Sequence, residues 1–342
     1  MNKNIFLVLG MILGLIIACQ KADELIEEPF KSFIRPSYFP EPTYNFASNP
    51  ISKEGFELGK KLFYDPILSR DNTISCGSCH IAQNAFTHHG HDVSHGIDDK
   101  QGTRNSPPLF NLAWNKSFFW DGGVFHLDLF PVAPIENPVE MDEKMVNVLA
   151  KLNKIPSYRA EFKKVFGTEE INSINMFKAM SQFMTLLISD NSKYDQVQRK
   201  ETSFSAEEQK GYAIYQAKCS TCHQEPLFTD GSYRDNGLGE NSFEDQGRFE
   251  ISQLEEDRLK FKVPSLRNLK YSPPYMHDGQ LRTLEAVINH YRRDIQNTKN
   301  LDPILRKEMK IELSDSEVDQ LMAFLNTLND EKFINNTLFH EF

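Results

Sequence analysis

The sequences Cys76-Gly-Ser-Cys79-His80 and Cys219-Ser-Thr-Cys222-His223 are two copies of one pattern, C-x-x-C-H. Two thiols one helical turn apart can bond to the two vinyl groups of haem, and the adjacent imidazole then lies beneath the iron. A zinc site needs further ligands, and a disulfide gives the histidines no role. The pattern therefore predicts two c-type haems. The attachment residues are Cys76, Cys79, Cys219 and Cys222, and the proximal iron ligands are His80 and His223.

The spacing of these motifs indicates the domain organisation. Their histidines are 143 residues apart, which fits one compact domain for each haem. Capping boxes at Ser205-Ala-Glu-Glu208 and Ser314-Asp-Ser-Glu317 predict helices before the second motif and near the end of the second domain. The chain between about Asp190 and Phe204 is polar, so we place the boundary there. We expect an all-α fold of two cytochrome c-like domains, at residues 50–200 and 201–342.

The composition excludes some classes of protein. The 342 residues include 38 Lys and Arg against 48 Asp and Glu, a net charge of −10. Nucleic acid is therefore not expected as a partner, because phosphate binding needs a basic patch. Hydrophobic residues make up 39% of the chain, and 26 residues are Phe, which is enough for a packed core. The acidic stretch from Gly231 to Asp257 is expected to be a long surface loop.

The start of the chain indicates export. Lys3 precedes a run of 14 apolar or glycine residues, Ile5 to Ala18, which is too short to span a bilayer and typical of a signal peptide. The sequence Ile16-Ile17-Ala18-Cys19 resembles a bacterial lipobox, so residues 1–18 would be removed and Cys19 lipidated. An ordinary cleavage site with an incidental cysteine is the alternative. Residues 19–49 are expected to form a tether from a membrane anchor on the periplasmic side of the cell envelope.

Several further segments resemble one protein family, the bacterial di-haem cytochrome c peroxidases together with MauG. They occur in the family's order between about residues 52 and 328, and a simple electron-carrying cytochrome would not need them. The resemblance implies two all-α cytochrome c domains, with peroxide reduction at the N-terminal haem and electron supply through the C-terminal haem. The segments are Leu58–Ser69, Gly102–Pro107, Phe119–Gly122, Asn137–Met141, Phe261–Asn268 and Pro274–Gly279.

The resemblance also implies roles for three side chains. Glu140 stands where the family carries its distal carboxylate, and a carboxylate in a partly dry haem pocket can shuttle a proton between the peroxide oxygens. Outside this motif it would be read as a solvated residue. Trp120 stands between the two haems, where an aromatic ring can carry an oxidising equivalent; a tryptophan of the core is the alternative. Arg104 is assigned to the same catalytic group, with stabilisation of the domain interface as its alternative.

A calcium ion between the domains is a further implication of the resemblance. The ligands carried over by position are the side chain of Asn105 and the backbone carbonyls of Ser272 and Pro274. So few protein oxygens leave room for several waters, which calcium accepts. His277 occupies another position typical of the family and could instead stabilise the interface.

The loop before Arg104 decides whether the first haem is open. Family members that rest in an inactive state carry a blocking histidine there, and that position is Ile97 in this chain. We therefore favour an open, five-coordinate haem. A shifted blocking ligand, a metal-binding loop and a solvated loop stay open as alternatives for the neighbouring histidines His88, His89, His91 and His95.

The sixth ligand of the second haem is predicted to be Tyr291. Peroxidases fed by small cytochromes use a Met, whereas the aligned position belongs to Tyr291, as in MauG. Tyr291 shares one helical stripe with Leu284, Val287 and Ile288, although a tyrosine packed in the core predicts the same stripe. A phenolate favours the ferric and higher states of iron. The fallback thioether ligands are Met276 and Met309.

These expectations define a di-haem peroxidase that reduces hydrogen peroxide to water. Its electron donor would be a small cytochrome c or cupredoxin, and the resemblance suggests a homodimer. One alternative is a MauG-type enzyme that uses peroxide to oxidise a protein side chain. Another is a di-haem electron-transfer protein without catalysis, in which mutation of Glu140 would leave the redox behaviour unchanged.

Overall fold

Short α-helices joined by long irregular segments make up most of the protein. The computed structural model describes residue 30 and residues 32–88 and 90–341. In this part of the chain the α-helices are α1 (Lys53–Tyr64), α2 (Cys76–Cys79), α3 (Val132–Glu136), α4 (Met145–Asn153), α5 (Pro156–Phe166), α6 (Ser173–Thr185), α7 (Lys193–Gln198), α8 (Ala206–Lys218), α9 (Phe249–Ser252), α10 (Leu284–Asn289), α11 (Pro303–Glu308), α12 (Asp315–Asn326) and α13 (Glu331–Ile334).

The remaining regular structure is short. Strands β1 (Tyr233–Arg234) and β2 (Phe261–Lys262) pair antiparallel, with Tyr233 opposite Lys262. A π-helical turn at His290–Asp294 continues α10. The 3-10 turns are Pro66–Leu68, Ala82–Asn84, Ile97–Asp99, Leu112–Trp114, Leu127–Leu129, Glu255–Asp257, Leu269–Tyr271 and Thr337–Phe339. Helix therefore dominates, and the expected all-α class is confirmed.

The two halves of the chain repeat one helix crossing. In the first half α1 packs against α6, and a Cβ atom on Gly59 would lie 1.9 Å from the carbonyl oxygen of Ala179. In the second half α8 packs against α12, and a Cβ on Gly211 would lie 1.9 Å from the carbonyl oxygen of Gln320. The backbones approach this closely only because glycine has no side chain. Each crossing joins the helix before a haem motif to the last long helix of that half.

Both capping boxes form as the sequence predicts. The Ser205 and Ser314 hydroxyls accept hydrogen bonds from the backbone N–H groups of Glu208 and Glu317, and each glutamate carboxylate accepts from the backbone N–H of its serine. These bonds satisfy donors that the first helical turn leaves free. They fix the start of α8, the helix that leads into the second haem motif.

Both ends of the described chain pack on the first domain. Phe39 and Trp114 are buried with their ring centroids 5.0 Å apart, so this part of the expected tether lies against the folded body. Phe333 and Phe339, near the other end, belong to the same hydrophobic core. Aromatic side chains explain both contacts, because burying them removes a large apolar area from water. The residues that were expected to form the signal peptide and Cys19 lie outside the described residues.

The segment from Gly231 to Asp257 is more buried than a surface loop. It contains β1 and α9, and its Asp235 and Asp245 are buried. Asp245 is held by the guanidinium of Arg104, with N–O distances of 2.6 and 2.7 Å. The acidic composition therefore reflects internal ion pairing as well as solvent exposure. Among the described residues, none of the helices combines the length and the apolar character needed to cross a membrane.

Candidate functional site

The first haem motif occupies the short helix α2 and the residue after it. The backbone N–H of His80 bonds to the carbonyl of Cys76, and Nδ1 of its ring lies 2.7 Å from the carbonyl oxygen of Phe86. A carbonyl can only accept, so Nδ1 carries the proton and Nε2 is left as a lone-pair donor. Burial lowers the pKa of His80 to about 4, which keeps the imidazole neutral as an iron ligand must be.

The second motif has the same arrangement. Nδ1 of His223 lies 3.2 Å from the carbonyl oxygen of Phe228 and 3.1 Å from that of Pro264. Its Nε2 is therefore also free to bind iron, and burial lowers the pKa of the ring. The four thiols of the two motifs are free rather than disulfide-bonded. Both sets of residues fit a covalently held haem with a histidine ligand oriented by a backbone carbonyl.

Glu140 lies in the turn that follows α3, close to the first motif. Nδ2 of Asn137 donates to its Oε1 over 3.1 Å, and its backbone carbonyl accepts from the N–H of Ile97 over 2.7 Å. Burial raises the pKa of Glu140. Burial and then the charge of Glu140 raise the pKa of Cys79 to about 11, so the carboxylate and the thiol are neighbours. A desolvated carboxyl group therefore stands beside the first haem site.

The histidine loop offers few nitrogen ligands. In His88 both ring nitrogens are engaged, Nδ1 with the Ser106 hydroxyl at 2.9 Å and Nε2 with the His91 carbonyl at 2.7 Å. Nδ1 of His95 lies 3.2 Å from a carboxylate oxygen of Asp99, and the ring packs 4.3 Å from that of His91. Ile97 is fully buried, and His89 lies outside the described residues. Of the loop histidines that the structure describes, His91 and His95 thus have a ring nitrogen left over.

Trp120 lies where the two domains meet. Its Nε1 donates to the carbonyl of Asn105 over 2.9 Å, and its own carbonyl accepts from the backbone N–H of Lys262 over 2.7 Å. The side chain lines a cleft whose other walls include Phe118 from the first domain and Pro264 from the second. Trp114 instead packs in the core with Phe39.

Arg104 is an interdomain ion-pair partner. Its guanidinium binds Asp121 in the first domain and both carboxylate oxygens of Asp245 in the second. These bonds leave little of the group free for a haem or a substrate. These contacts agree with the alternative role, in which Arg104 stabilises the domain interface. The catalytic role of Arg104 stays a prediction.

The residues expected to bind calcium meet at the same interface. Nδ2 of Asn105 lies 3.3 Å from the carbonyl oxygen of Pro274 and 3.1 Å from that of Asp92, and Ser272 is two residues before Pro274. The backbone N–H of Asn105 bonds to the His277 carbonyl over 2.7 Å. His277 itself is buried and stacks on Phe261 with centroids 3.6 Å apart. The described residues contain no group of three or more His, Cys, Asp or Glu side chains suited to a metal ion, so any cation here would rest on carbonyl and amide oxygens.

Tyr291 lies beside the second motif. Burial raises the pKa of its phenol to about 12, with a smaller contribution from Cys222. One amide, Nδ2 of Asn236, stands 3.5 Å both from the Tyr291 hydroxyl and from the sulfur of Met276. Tyr291 is in the π-helical turn, a feature that often occurs at functional sites. Met309 caps helix α11.

Two residues of the site were not expected from the sequence. Asn236 lies in the stretch that was interpreted as a surface loop, and its composition carries no sign of a role. Lys262 lies inside the Phe261–Asn268 segment that carries the family resemblance, so its position was the available signal. Asn236 lies next to Tyr291 and Met276, and Lys262 lines the interdomain cleft with Trp120.

Two CXXCH motifs in two helical domains, each with a histidine oriented by a backbone carbonyl, define a cytochrome of the c type. Comparison with known proteins gives the family. Residues 53–203 match the di-haem cytochrome c peroxidase family, and residues 208–329 match the cytochrome c family. The chain is 36% identical to the methylamine utilization protein MauG of Methylorubrum extorquens, over 87% of this chain and 84% of that protein.

Other relatives agree. Identity to cytochrome c551 peroxidase of Nitrosomonas europaea is 33%, over 84% of this chain and 83% of that one. A solved MauG-like protein associated with microbial copper homeostasis superposes with a TM-score of 0.83 and 30% identity, covering 90% of this chain and 98% of that chain. The chain belongs to the di-haem cytochrome c peroxidase and MauG family. Its cofactor is haem, and it is an oxidoreductase that acts on peroxide, as the sequence predicts.

Proposed function

We propose that this protein reduces hydrogen peroxide to water at the first haem, with Glu140 as the acid–base group and electrons supplied through the second haem. The observation that carries the assignment is the desolvated Glu140 carboxyl group beside Cys79. Each peroxide takes up two protons and two electrons and gives two water molecules. The two histidine motifs support one haem in each domain.

The carboxyl group of Glu140 moves the proton. A bound haem supplies the redox-active iron and an open position for peroxide. Asn137 holds Oε1 of Glu140 by donating a hydrogen bond, which leaves Oε2 to accept a proton from one peroxide oxygen and return it to the other. A raised pKa suits this exchange, because the group must both accept and release a proton near neutral pH.

An open first haem site is supported by the histidine loop. Both ring nitrogens of His88 are engaged with Ser106 and the His91 carbonyl. The position at which a blocking histidine was expected is Ile97, whose side chain is apolar and buried. The backbone N–H of Ile97 donates a hydrogen bond to the backbone carbonyl of Glu140. These contacts favour an open first haem, although His91 and His95 each keep a ring nitrogen that could serve as a ligand.

Trp120 is proposed as the relay between the haems. It lies in the interdomain cleft, and its position is fixed by hydrogen bonds to Asn105 and Lys262, one on each side. Because these hydrogen bonds fix the Trp120 residue, we expect its ring to stay in place when it loses and regains an electron. The Trp120 side chain would therefore connect the two redox centres through one residue.

Tyr291 is proposed as the sixth ligand of the second haem. Its phenol lies beside Cys222, and the amide of Asn236 is placed to donate to the phenolate oxygen. With haem bound, an anionic phenolate ligand would stabilise the ferric state. Met276 is the alternative ligand, since its sulfur faces the same amide.

A calcium ion at the domain interface remains part of the proposal. Carbonyl oxygens of Asp92 and Pro274 converge on the Asn105 side chain, and the amide can present oxygen instead of nitrogen by a half-turn. The ligands would be Asn105, Ser272 and Pro274 with water. Calcium would fix the position of the segment that carries Trp120 relative to the segment that carries His277. The same interface contains the Arg104 ion pairs.

The cellular setting is proposed from the leader and the cofactor. Cys19 would carry lipid and hold the protein at the periplasmic side of the envelope, as suits a family of periplasmic cytochromes. The electron donor would be a small cytochrome c or cupredoxin, and the protein would form a homodimer.

Oxidation of a protein substrate is the second candidate function. It is favoured by Tyr291 at the second haem, because an oxygen ligand makes that haem a poor acceptor from ordinary cytochromes. In that case electrons reach the second haem from a protein side chain.

One experiment tests the proposal. The protein is reduced by two electrons, mixed with one equivalent of hydrogen peroxide, and both the peroxide consumed and the oxidation of the haems are followed. We expect one peroxide to be consumed for two electrons in the native protein. We expect a rate about 10²- to 10⁴-fold lower in Glu140→Gln and no change in Glu136→Gln, an exposed neighbour. Equal rates in all three proteins would rule out Glu140 as the acid–base group.

A further inference from the structure

Lys262 joins the two domains at the cleft that contains Trp120. It belongs to β2, which follows the second haem motif along the chain. Its backbone N–H donates to the carbonyl of Trp120 over 2.7 Å, and its Nζ donates to the carbonyl of Ser117 over 2.6 Å. Lys262 of the second domain therefore forms hydrogen bonds with the first and the last residue of the segment Ser117–Trp120 in the first domain.

The ammonium group lacks a negative partner among the described residues. None of their Asp or Glu side chains forms an ion pair with it, and Nζ lies 6.0 Å from the centre of the Phe118 ring. Burial lowers the pKa of Lys262 to about 8. An ammonium has three N–H donors, and the Ser117 carbonyl takes one of them. A buried cation is costly unless an anion compensates it.

The position of this cation limits what the anion can be. The cleft around Lys262 has mostly apolar walls, including Phe119, Leu227 and Pro264. Pro264 is two residues along the chain and accepts the hydrogen bond that orients the His223 ring. The Trp120 side of the cleft belongs to the first domain. A partner that suits these surroundings presents a carboxylate next to apolar surface, as the propionate edge of a haem does.

We propose that the Lys262 ammonium binds a propionate carboxylate of a bound haem in the interdomain cleft. This inference rests on the proposed function, because it requires haems at both motifs. The propionate comes either from the first haem or from the second. In both cases the carboxylate supplies the missing charge, and Lys262 becomes a positioning residue that ties the Trp120 segment to the cofactor.

A consequence follows for the redox chemistry. A positive charge in contact with a haem carboxylate favours the reduced, less positive state of that haem. Removing the charge should lower the reduction potential of one haem more than that of the other. The haem with the larger change is the one that provides the propionate.

The test compares three substitutions in the complete haem-loaded protein. Lys262→Met keeps the length of the side chain and removes the charge, Lys262→Arg keeps the charge, and Lys270→Met removes an exposed lysine of the same domain. The readouts are the resonance Raman bending vibration of the haem propionates and the midpoint potential of each haem. We expect Lys262→Met to shift the propionate vibration and lower one potential, with little change in the other two variants.

Several results would overturn the inference. Unchanged propionate vibrations in Lys262→Met with both haems attached would exclude the contact, even if a potential moved. If that variant fails to retain its haems, a crystal structure of the native haem-loaded protein decides. An Nζ-to-propionate distance of about 3 Å is expected, and a distance beyond about 4 Å contradicts the proposal. The two proposals can fail separately. If Glu140→Gln reduced peroxide as fast as the native protein, the proposed role of Glu140 would be wrong, but the propionate vibrations and haem potentials would still test the Lys262 contact.

Discussion

Glu140 is a residue whose surroundings determine its chemistry. Burial raises its pKa, and Asn137 offsets part of that rise. The carboxylate form accepts the proton from peroxide, so the rate should fall as the pH drops through the raised pKa. We predict an acid limb in kcat/KM for peroxide that lies above the ordinary glutamate value of about 4.3. A pH series of initial rates measures it.

The control for this prediction is Asn137→Leu, which removes the hydrogen bond that stabilises the carboxylate. The acid limb should then move to higher pH, because the neutral form gains relative stability. An acid limb that stays in place in this variant, or that survives in Glu140→Gln, would show that another group titrates.

Tyr291 and Met276 give a second prediction at the scale of single residues. Both side chains contact the amide of Asn236, and only one of them can be the sixth ligand. Tyr291→Phe should change the optical and electron paramagnetic resonance spectra of the second haem while both haems stay attached. Met276→Leu should leave the spectra unchanged. The reverse result would make Met276 the ligand.

Part of this site was predictable from single residues. The Cys and His residues follow from a local pattern, because haem attachment needs a fixed spacing within five positions. The groups that orient the histidines are the carbonyls of Phe86, Phe228 and Pro264. Every residue has such a carbonyl, and the fold alone decides which ones face the ring. Sequence carries no signal for them.

Helices α8 and α12 give a prediction at the scale of elements. Their backbones meet at Gly211, and Gly211→Val would place side-chain atoms on the Gln320 carbonyl. We expect a loss of about 1 to 3 kcal/mol in the free energy of unfolding. Ala213→Val, on the exposed side of α8, measures the propensity cost of valine alone. Similar losses in urea denaturation for both variants would contradict the close crossing.

The sequence predicts helix starts better than it predicts helix ends. Ser205 and Ser314 begin α8 and α12 because their caps depend on residues three positions apart. The stripe that includes Ile288 and Tyr291 correctly predicts helix α10, but its continuation as a π-helical turn does not follow from periodicity. His290 begins this turn and is buried, and its ring nitrogen Nε2 lies within hydrogen-bond distance of the Asn236 carbonyl. Such a contact between distant parts of the chain cannot be predicted from the local pattern.

At the scale of the whole molecule, one buried ion pair joins three parts of the chain. Arg267 is buried and binds both oxygens of Asp195 at 2.7 and 2.9 Å, and the Tyr38 hydroxyl donates to the same carboxylate over 2.6 Å. Arg267→Met leaves Asp195 buried without its partner. We expect a loss of about 3 to 5 kcal/mol in the free energy of unfolding, measured by denaturant titration.

The pH dependence of this effect follows from Asp195. Burial opposes ionisation, but Arg267 outweighs it and lowers the pKa of Asp195. The stabilisation is therefore present above the ordinary aspartate pKa of about 3.9 and is lost as the pH falls through the lowered value. The native protein and Arg267→Met should converge in stability at acid pH. A constant difference down to low pH would mean that the ion pair is not the cause.

The organisation of the whole molecule was only partly predictable. The two motifs predict two cytochrome c-like halves, because each haem needs its own helices. Packing of residues near Phe39 and Phe339 on the first domain depends on contacts between distant parts of the chain. The buried Asp245 depends on Arg104, which is 141 positions away. Local composition cannot show such pairings, and it therefore suggests a tether and a surface loop.

We expect the first haem to be open and the second to be closed by a protein ligand. The most direct measurement is the electron paramagnetic resonance spectrum of the fully ferric protein before and after hydrogen peroxide is added. We predict one high-spin and one low-spin signal, with loss of the high-spin signal on addition of peroxide. Two low-spin signals that do not respond to peroxide would contradict an open first haem, because a histidine such as His95 would then close the first site.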